Sequence, residues 1–578
     1  MFEQQLVREA PFVFPKKGND PTRPDASAEP VLRVDNIQGN IVGFSKDHQT
    51  LLFLKITNVE YFRGWLGRFA PFVATAHEVL LFNRLFKEIR RRRKVETHTV
   101  QATWINIAFS YKALHSLTDD AADFTDAAFK QGMAARAVSV LGDPKSKKAE
   151  GNPHNWVFGG PKNEADVVII VASDSDEELD DEVGRIEESI YSGRTIEGKH
   201  ALSGAQIIYK QLGATLPPPL TGHEHFGFLD GVSQPGVRGR VSEDVHDVLT
   251  PRQNPNDREQ GKPGQDLLWP GEFIFGYERQ KGAAEIGKDG KPKDELNTEP
   301  GPVAHAGPAW ADDGSFLVIR RLRQEVGAFH KFLEDEGQKA GLSRDHFGAK
   351  LVGRWPSGAP IMRAPDADNP PLGNDDCANN HFEFGEDGDD IPPGVPPNQN
   401  DCVDNKFPQA KADTTGAVCP FAGHIRKTYP RDDTSDSIPD LEENTTQTHR
   451  LLRRGIPFGD PYFPPPDPDK SHDTGNRGLV FAAYQTSIEN QFEFVQSQWV
   501  NNADFKDADA GHDFIIGQSN GPGGKRTRRF SLLLKQEGGT EETKEITTED
   551  DWVIPTGGGY FFQPSLAALY RLAGLKAT

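Results

Sequence analysis

Cysteine is scarce in this chain of 578 residues: Cys377, Cys402 and Cys419 are the only three. An odd count without close spacing makes a poor disulfide framework and a poor zinc or iron–sulfur site. No run of about 18 apolar residues is present to span a bilayer. The N-terminal stretch MFEQQLVREAPFVFPKKGND lacks the apolar centre of a secretory signal. Positive charge is also short: 65 Lys and Arg stand against 86 Asp and Glu, for a formal net charge of -21. That balance argues against nucleic acid or an anionic membrane as the main partner and suits cationic or neutral small molecules. Together these absences predict a cytoplasmic protein, with secretion left open if the N-terminus is processed.

What is present is a loop-rich globular composition: 36% hydrophobic and 26% charged residues, with 57 Gly and 43 Pro. A chain of this size can enclose a sizeable cofactor. Simple division gives three or four units, and two large domains with insertions fit as well. Residues 1–32 read as a polar N-terminal arm laid on the surface. Leu51–Ile56, Thr99–Phe109 and Asp166–Ala172 read as strands; Val59–Phe72, Tyr111–Leu117 and Asp174–Tyr191 have helical spacing. The basic run Arg90–Lys94 fits a solvated helix face or end. Further on, Pro270–Tyr277, Ser315–Leu322 and Gly478–Tyr484 read as strands, and Gln324–Gly337 and Ile488–Trp499 as helices. Two low-hydrophobicity insertions, about 240–310 and 364–418, interrupt this half; loops of such length are functional or disordered. The alternation predicts an α+β fold with antiparallel sheets, built from two halves of similar element order.

The densest chemical signal is His225-Phe-Gly-Phe-Leu-Asp230-Gly231-Val-Ser-Gln-Pro-Gly236. One carboxylate sits in an apolar, glycine-rich run, where an acid costs free energy unless it is paired or used. An Asp-Gly turn capped by its own side chain is the simpler alternative. His223 and His225 are spaced like a metal pair but lack a third ligand; His225 reads better as a packed residue beside Asp230. His424 follows a tight Cys419-Pro-Phe-Ala-Gly turn and precedes Arg426 and Arg431. A neutral His can bind iron axially, and guanidinium groups hold carboxylates. Arg453 lies between Leu451-Leu452 and Gly455-Ile456-Pro457, too apolar a segment to be all surface, so one Arg of the Arg453–Arg454 pair points inward toward an anion.

GFLDGVSQPG, CPFAGHIRKTYPR and HRLLRRGIPFG, in that order, resemble the dye-decolorizing peroxidases. DNIQGNIVGF, PGEFIFGY, SFLVIRRLRQ, LVGRWPSGAP, GLVFAAYQ, FEFVQSQWVNN, HDFIIGQ and GGGYFFQPSL extend the resemblance over roughly residues 33–566. The pattern is most similar to the long fungal-type members and their bacterial relatives. It implies two ferredoxin-like domains of the dimeric α+β barrel type, with helices packed outside the sheets. The N-terminal domain, 33–238, would carry the distal Asp; the C-terminal one, 239–578, would hold haem b (iron protoporphyrin IX). By the same resemblance Asp230 is the distal acid–base, His424 the axial ligand of the haem iron and Arg453, rather than Arg454, the distal cation. Arg426 and Arg431 are implied partners of the haem carboxylates, Leu479, Phe481, Phe228 and Gly231 pocket residues, and Asp513 the acceptor behind His424.

The implied activity is that of a haem peroxidase which reduces hydrogen peroxide and oxidises dyes, phenols and other bulky aromatics through a ferryl intermediate. Asp230 would move the peroxide proton while Arg453 stabilises developing negative charge. A carboxylate base stays ionised where a histidine is already protonated, so an acidic optimum is expected. Bulky dyes cannot enter an enclosed haem site, and Trp499 and Tyr484 are the candidates to relay electrons outward, with core packing as their plainer role. Mn(II) is a further candidate reductant that no motif fixes. The chain is expected as a monomer or small homo-oligomer. Haem processing of the deferrochelatase kind, or a non-catalytic haem carrier or sensor, is the alternative on the same fold; only the peroxidase requires Asp230 and Arg453 together.

Overall fold

The computed structural model describes residues 25–575, apart from 94–100, 192–193, 197–198, 202, 254–258, 283–298, 390–405, 434–442, 464–474, 522–524 and 536–540. Nine strands matter for the site. In the first half they are β1 (His48–Ile56), β2 (Thr103–Phe109), β3 (Val167–Ser173) and β4 (Ala205–Ala214); in the second, β5 (Ser315–Gln324), β6 (Leu452–Arg453), β7 (Ile456–Phe458), β8 (Gly478–Gln485) and β9 (Val553–Gln563). They form one antiparallel sheet in the order β6-β8-β5-β9-β2-β3-β1-β4, with β7 also paired to β8. The two halves meet where Phe562 of β9 pairs with Phe109 of β2.

Successive residues of a strand point to opposite faces. Here both faces are covered, which is why the strand sequences are continuous apolar runs. In β1, Leu52 and Leu54 enter one core cluster, while Leu51 and Phe53 enter the other. Likewise Val167, Ile169 and Val171 of β3 face one way, and Val168, Ile170 and Ala172 the other. Helix α1 (Val59–Phe69) covers the first face with Phe62, Trp65 and Leu66, and α2 (Asp176–Tyr191) covers it with Leu179, Val183 and Ile186. The second face is closed by irregular chain, including Leu32, Val34, Ile41, Phe273 and Ile274. In the second half, α3 (Val326–Lys339) and α4 (Arg344–Val352) pack together over Phe329, Leu333, Phe347 and Leu351.

Several local expectations are corrected. Pro270–Tyr277 is not a strand: Pro270–Glu272 makes a single 3-10 turn, and the segment bends again at Gly276 (φ 87°). Pro270 has no N–H to give a ladder, and Phe273, Ile274 and Phe275 are buried as a plug instead. The amphipathic stretch from Ile488 is helical as expected, but its winding is π-type over Ile488–Phe492 and Val495–Val500, with Ile488, Phe492, Val495 and Trp499 buried. The insertion around 364–418 contributes to a core among its described residues: Leu372, Ala378, Phe382 and Phe384 are buried in a cluster with Trp355 and Ile361, while 365–368 are exposed. Cys377 within it is disulfide-bonded, against the expectation of no disulfide, while Cys419 is free and buried. Of the N-terminal arm, residues 1–24 lie outside the described residues, but Ala26, Glu29 and Leu32 are buried rather than laid on the surface. The side chains of the basic run at 90–94 also lie outside the described residues.

Candidate active site

The strand period builds one wall of a cavity of about 270 Å³. Arg320, Leu322 and Gln324 of β5, Leu479 and Phe481 of β8, and Val553 and Pro555 of β9 are each two residues apart, hence on one face, and all line it. This is the face that packs Phe316 and Val318 into the core further back. The cavity is also lined by Val352 at the end of α4, by Ile515 and Ile516, and by the short helix α5 (His424–Thr428). The turn Phe228–Ser233 closes a third side.

His424 opens α5. Its Nδ1 lies 2.7 Å from Oδ2 of Asp513. The other Asp513 oxygen accepts from the N–H groups of Ile515 (2.7 Å) and Ile516 (3.1 Å), so the fully buried carboxylate is fixed in place. Burial alone would lower the His424 pKa, but the charge and hydrogen bond of Asp513 turn the shift upward. With Nδ1 engaged, Nε2 is left toward the cavity that His424 lines. The nearby Cys419 thiol is pushed up to about 12, chiefly by burial, and is therefore inert.

Also lining the cavity, Asp230 Oδ1 accepts from its neighbour Gly231 N–H (2.6 Å) and from Nη1 of Arg453 (3.3 Å). Nη2 of Arg453 donates to Ser233 O at 2.8 Å. Gly231 holds φ at +75°, a left-handed turn that a side chain would strain, directly after the acid. Both readings of the Asp-Gly motif are thus present: a turn closed by its own carboxylate, and a carboxylate facing a cation. Arg454 points the other way, into the carbonyls of Asn40 and Ile41, so Arg453 is the inward member of the pair. His225 is buried, with Nε2 2.9 Å from Phe458 O.

The cavity also brings together Phe228, Gly231, Leu479, Phe481 and Arg431. Arg431 donates to Phe382 O (2.7 Å) and to Asn380 Oδ1 (2.8 Å), with Glu383 at 3.4 Å. Arg426 does not reach the cavity. Its guanidinium is buried between Asp413 (3.1 Å), Asp433 (2.5 Å) and the rings of Phe384 and Phe421. Two opposite charges already satisfy it, which corrects its expected place beside a haem carboxylate. Neither Trp499 nor Tyr484 lines the cavity, and both are buried (4% and 0% exposed), so neither offers a dye a surface contact.

Arg354, within the LVGRWPSGAP stretch, was missed as a site residue. It is buried, lines the cavity and donates to Gly358 O (2.9 Å), Asn379 O (2.5 Å) and Asn380 Oδ1 (2.7 Å). Among the described residues no carboxylate pairs with it. Burial, with Arg431 and Arg453 nearby, lowers its pKa to about 9. Its signal in the sequence was an Arg beside Trp in an otherwise small and apolar run. A largely apolar cavity lined by a backed histidine, an Asp–Arg pair and a guanidinium with no carboxylate partner among the described residues fits an iron porphyrin bearing carboxylates.

The comparisons with known proteins agree. Residues 36–206 match the DyP dimeric alpha+beta barrel domain and residues 405–519 the Dyp-type peroxidase C-terminal domain. The chain is 32% identical to a dye-decolorizing peroxidase of Mycena epipterygia, covering 96% of this chain and 91% of that one. Identity to a dye-decolorizing peroxidase of Auricularia auricula-judae is 31%, over 93% and 86%. Among solved structures, an ancestral D-type dye-decolorizing peroxidase superposes with a TM-score of 0.68 at 32% identity (95% and 100% covered). A mutant of the dye-decolorizing peroxidase from Pleurotus ostreatus gives 0.69 at 30% (94% and 100%). The cavity, the sheet and these likenesses over nearly the whole length converge: the chain belongs to the dye-decolorizing peroxidases, haem enzymes that use hydrogen peroxide to oxidise dyes.

Proposed function

We propose that the cavity takes haem b, which His424 would hold through its iron, and that Asp230 and Arg453 would be the groups that activate peroxide. The observation that carries this is the placement of all three on one cavity, with Asp230 and Arg453 in mutual contact. Bound haem supplies the iron at which hydrogen peroxide is reduced. Asp230 would take a proton from one peroxide oxygen and return it to the other, the two electrons that reduce peroxide being supplied by the haem when bound. Arg453 stabilises the negative charge that develops in between, in a site with little water to do so. Asp513, hydrogen-bonded behind His424, raises the donor strength of that ligand. Arg354 and Arg431, which line the cavity, would hold the haem carboxylates, and Leu479, Phe481 and Phe228 would pack against the ring.

The reducing substrate is a dye or phenolic compound, with Mn(II) as a second candidate, and the working range is acidic because the base is a carboxylate. The N-terminal half, through about residue 238, contributes the acid and the C-terminal half the rest. The disulfide at Cys377 supports an oxidising compartment rather than the cytoplasm.

Asp230→Asn tests the reading. In the haem-loaded variant, the rate constant for the Soret change on mixing with hydrogen peroxide should fall by about 100-fold or more, as for loss of a general acid–base. Haem content should be unchanged. A rate equal to wild type would return Asp230 to the status of a turn residue.

A further inference from the structure

The turn that presents Asp230 is closed by a second acid. Glu224 Oε2 accepts from Phe226 N–H at 2.8 Å and from Gln324 Nε2 at 2.5 Å, and Oε1 accepts from Phe228 N–H at 3.0 Å. The backbone adds Glu224 N–H to Phe228 O (3.1 Å), Gly227 N–H to Glu224 O (2.9 Å) and Asp230 N–H to Gly222 O (3.0 Å). The far side of the turn is anchored on α3: Phe226 packs on Phe329 (ring centroids 4.3 Å) and its carbonyl meets His330 Nε2 at 2.9 Å. Gln324, the third donor, is the last residue of β5.

An amide has one acceptor oxygen and cannot satisfy donors on both sides; a carboxylate can. Placing this carboxylate here is unfavourable. Burial, with the charge of Asp230 adding to it, lifts its pKa to about 7 even against the three donors. A turn needed only for its shape has cheaper closures, such as Asn or Ser.

We infer that Glu224 is a positioning residue for Asp230: its carboxylate ties the Phe226–Asp230 turn to the end of β5 and thereby fixes where the Asp230 carboxylate stands relative to Arg453. The inference rests on the reading of Asp230 as the acid–base. Its expected signature is dependence on Asp230, since a group that only positions Asp230 has nothing left to do once that acid is gone.

The test is a double-mutant cycle in the haem-loaded enzyme, run above pH 7 where the Glu224 carboxylate is ionised, with Glu224→Gln, Asp230→Asn and both together. The readouts are the rate constant of the peroxide-induced Soret change, haem content and the resting Soret position. Glu224→Gln alone should slow the peroxide reaction by about tenfold or more, the scale of a small misplacement in a site, with haem content and resting spectrum as in wild type. In the Asp230→Asn background it should add no further loss. An unchanged rate in Glu224→Gln, or equal factors in both backgrounds, would overturn the inference while leaving Asp230 in its role. No effect of Asp230→Asn itself would overturn the reading beneath it. Should Glu224→Gln fail to take up haem, Gln324→Met removes one donor while keeping the shape. Its loss should likewise appear only with Asp230 present, and equal factors would again overturn the inference.

Discussion

Two buried arginines near His424 look interchangeable in the sequence and are opposites in the structure. Arg426 is held by Asp413 and Asp433, and these carboxylates keep its pKa raised despite burial. Arg354 has only carbonyl and amide oxygens as acceptors, and its pKa is pushed down to about 9. A buried cation of the second kind is costly until an anion arrives. Arg354→Met should therefore speed haem loss by roughly 10- to 100-fold, the equivalent of one charge-assisted hydrogen bond, measured as haem transfer to apomyoglobin. Arg426→Met should instead lower thermal stability by leaving two acids unpaired. Equal haem retention in Arg354→Met and wild type would remove Arg354 from the haem carboxylates.

Among the elements, the π-turn stretch from Ile488 to Val500 connects the cavity to the protein beyond it. His449, which lines the cavity, stacks on Phe494 at 3.8 Å and meets the edge of Trp499 at 5.2 Å; Trp499 in turn stacks on Phe505 at 5.4 Å. Tyr484 lies in the core cluster on the other face of the sheet, its hydroxyl bonded to Asn40 and Gln563, and burial raises its pKa. A phenol must shed its proton when oxidised, which that setting opposes; an indole in an aromatic ladder has no such demand at once. Trp499→Phe should lower turnover of bulky dyes several-fold while leaving the peroxide step and small reductants unaffected, as read by steady-state and stopped-flow rates. Equal dye rates would leave Trp499 as core packing alone.

At the scale of the molecule, charge and sheet continuity matter most. The net charge of -21 sets a negative field around the protein. Raising ionic strength from 0.01 M to 0.15 M shortens the screening length from about 30 Å to about 8 Å. Over that range kcat/KM should fall for a cationic dye, rise for an anionic one and stay level for a neutral phenol; a common slope for all three would exclude long-range steering. The halves are held as one body by the β9–β2 seam, where Phe562 packs edge-on against Phe124 (5.1 Å) within a larger aromatic cluster. The cavity wall of the second half therefore grows from the same sheet as the core of the first.

The sequence by itself determined strands such as Val167–Ala172, which is apolar at every position and suits a strand covered on both faces, but not β4 at Ala205–Ala214. It also singled out Asp230, His424 and Arg453, through their motifs and the family those motifs resemble; that the three line one cavity was decided by the fold. What lay beyond it were outcomes set by residues distant in the chain. Whether Arg426 or Arg354 needs an outside anion depends on Asp413 and Asp433 folding against one and not the other. Glu224 acquires its weight from Gln324, a hundred residues away on the end of β5. The plug at Phe273–Phe275 and the π-type turns after Ile488 follow what the surrounding core leaves free, not local propensity. Local sequence settles the conformations and chemistries that neighbours along the chain can enforce. Only the tertiary structure decides which buried charges are already neutralised, because pairing in a low-dielectric interior is a property of contacts across the fold.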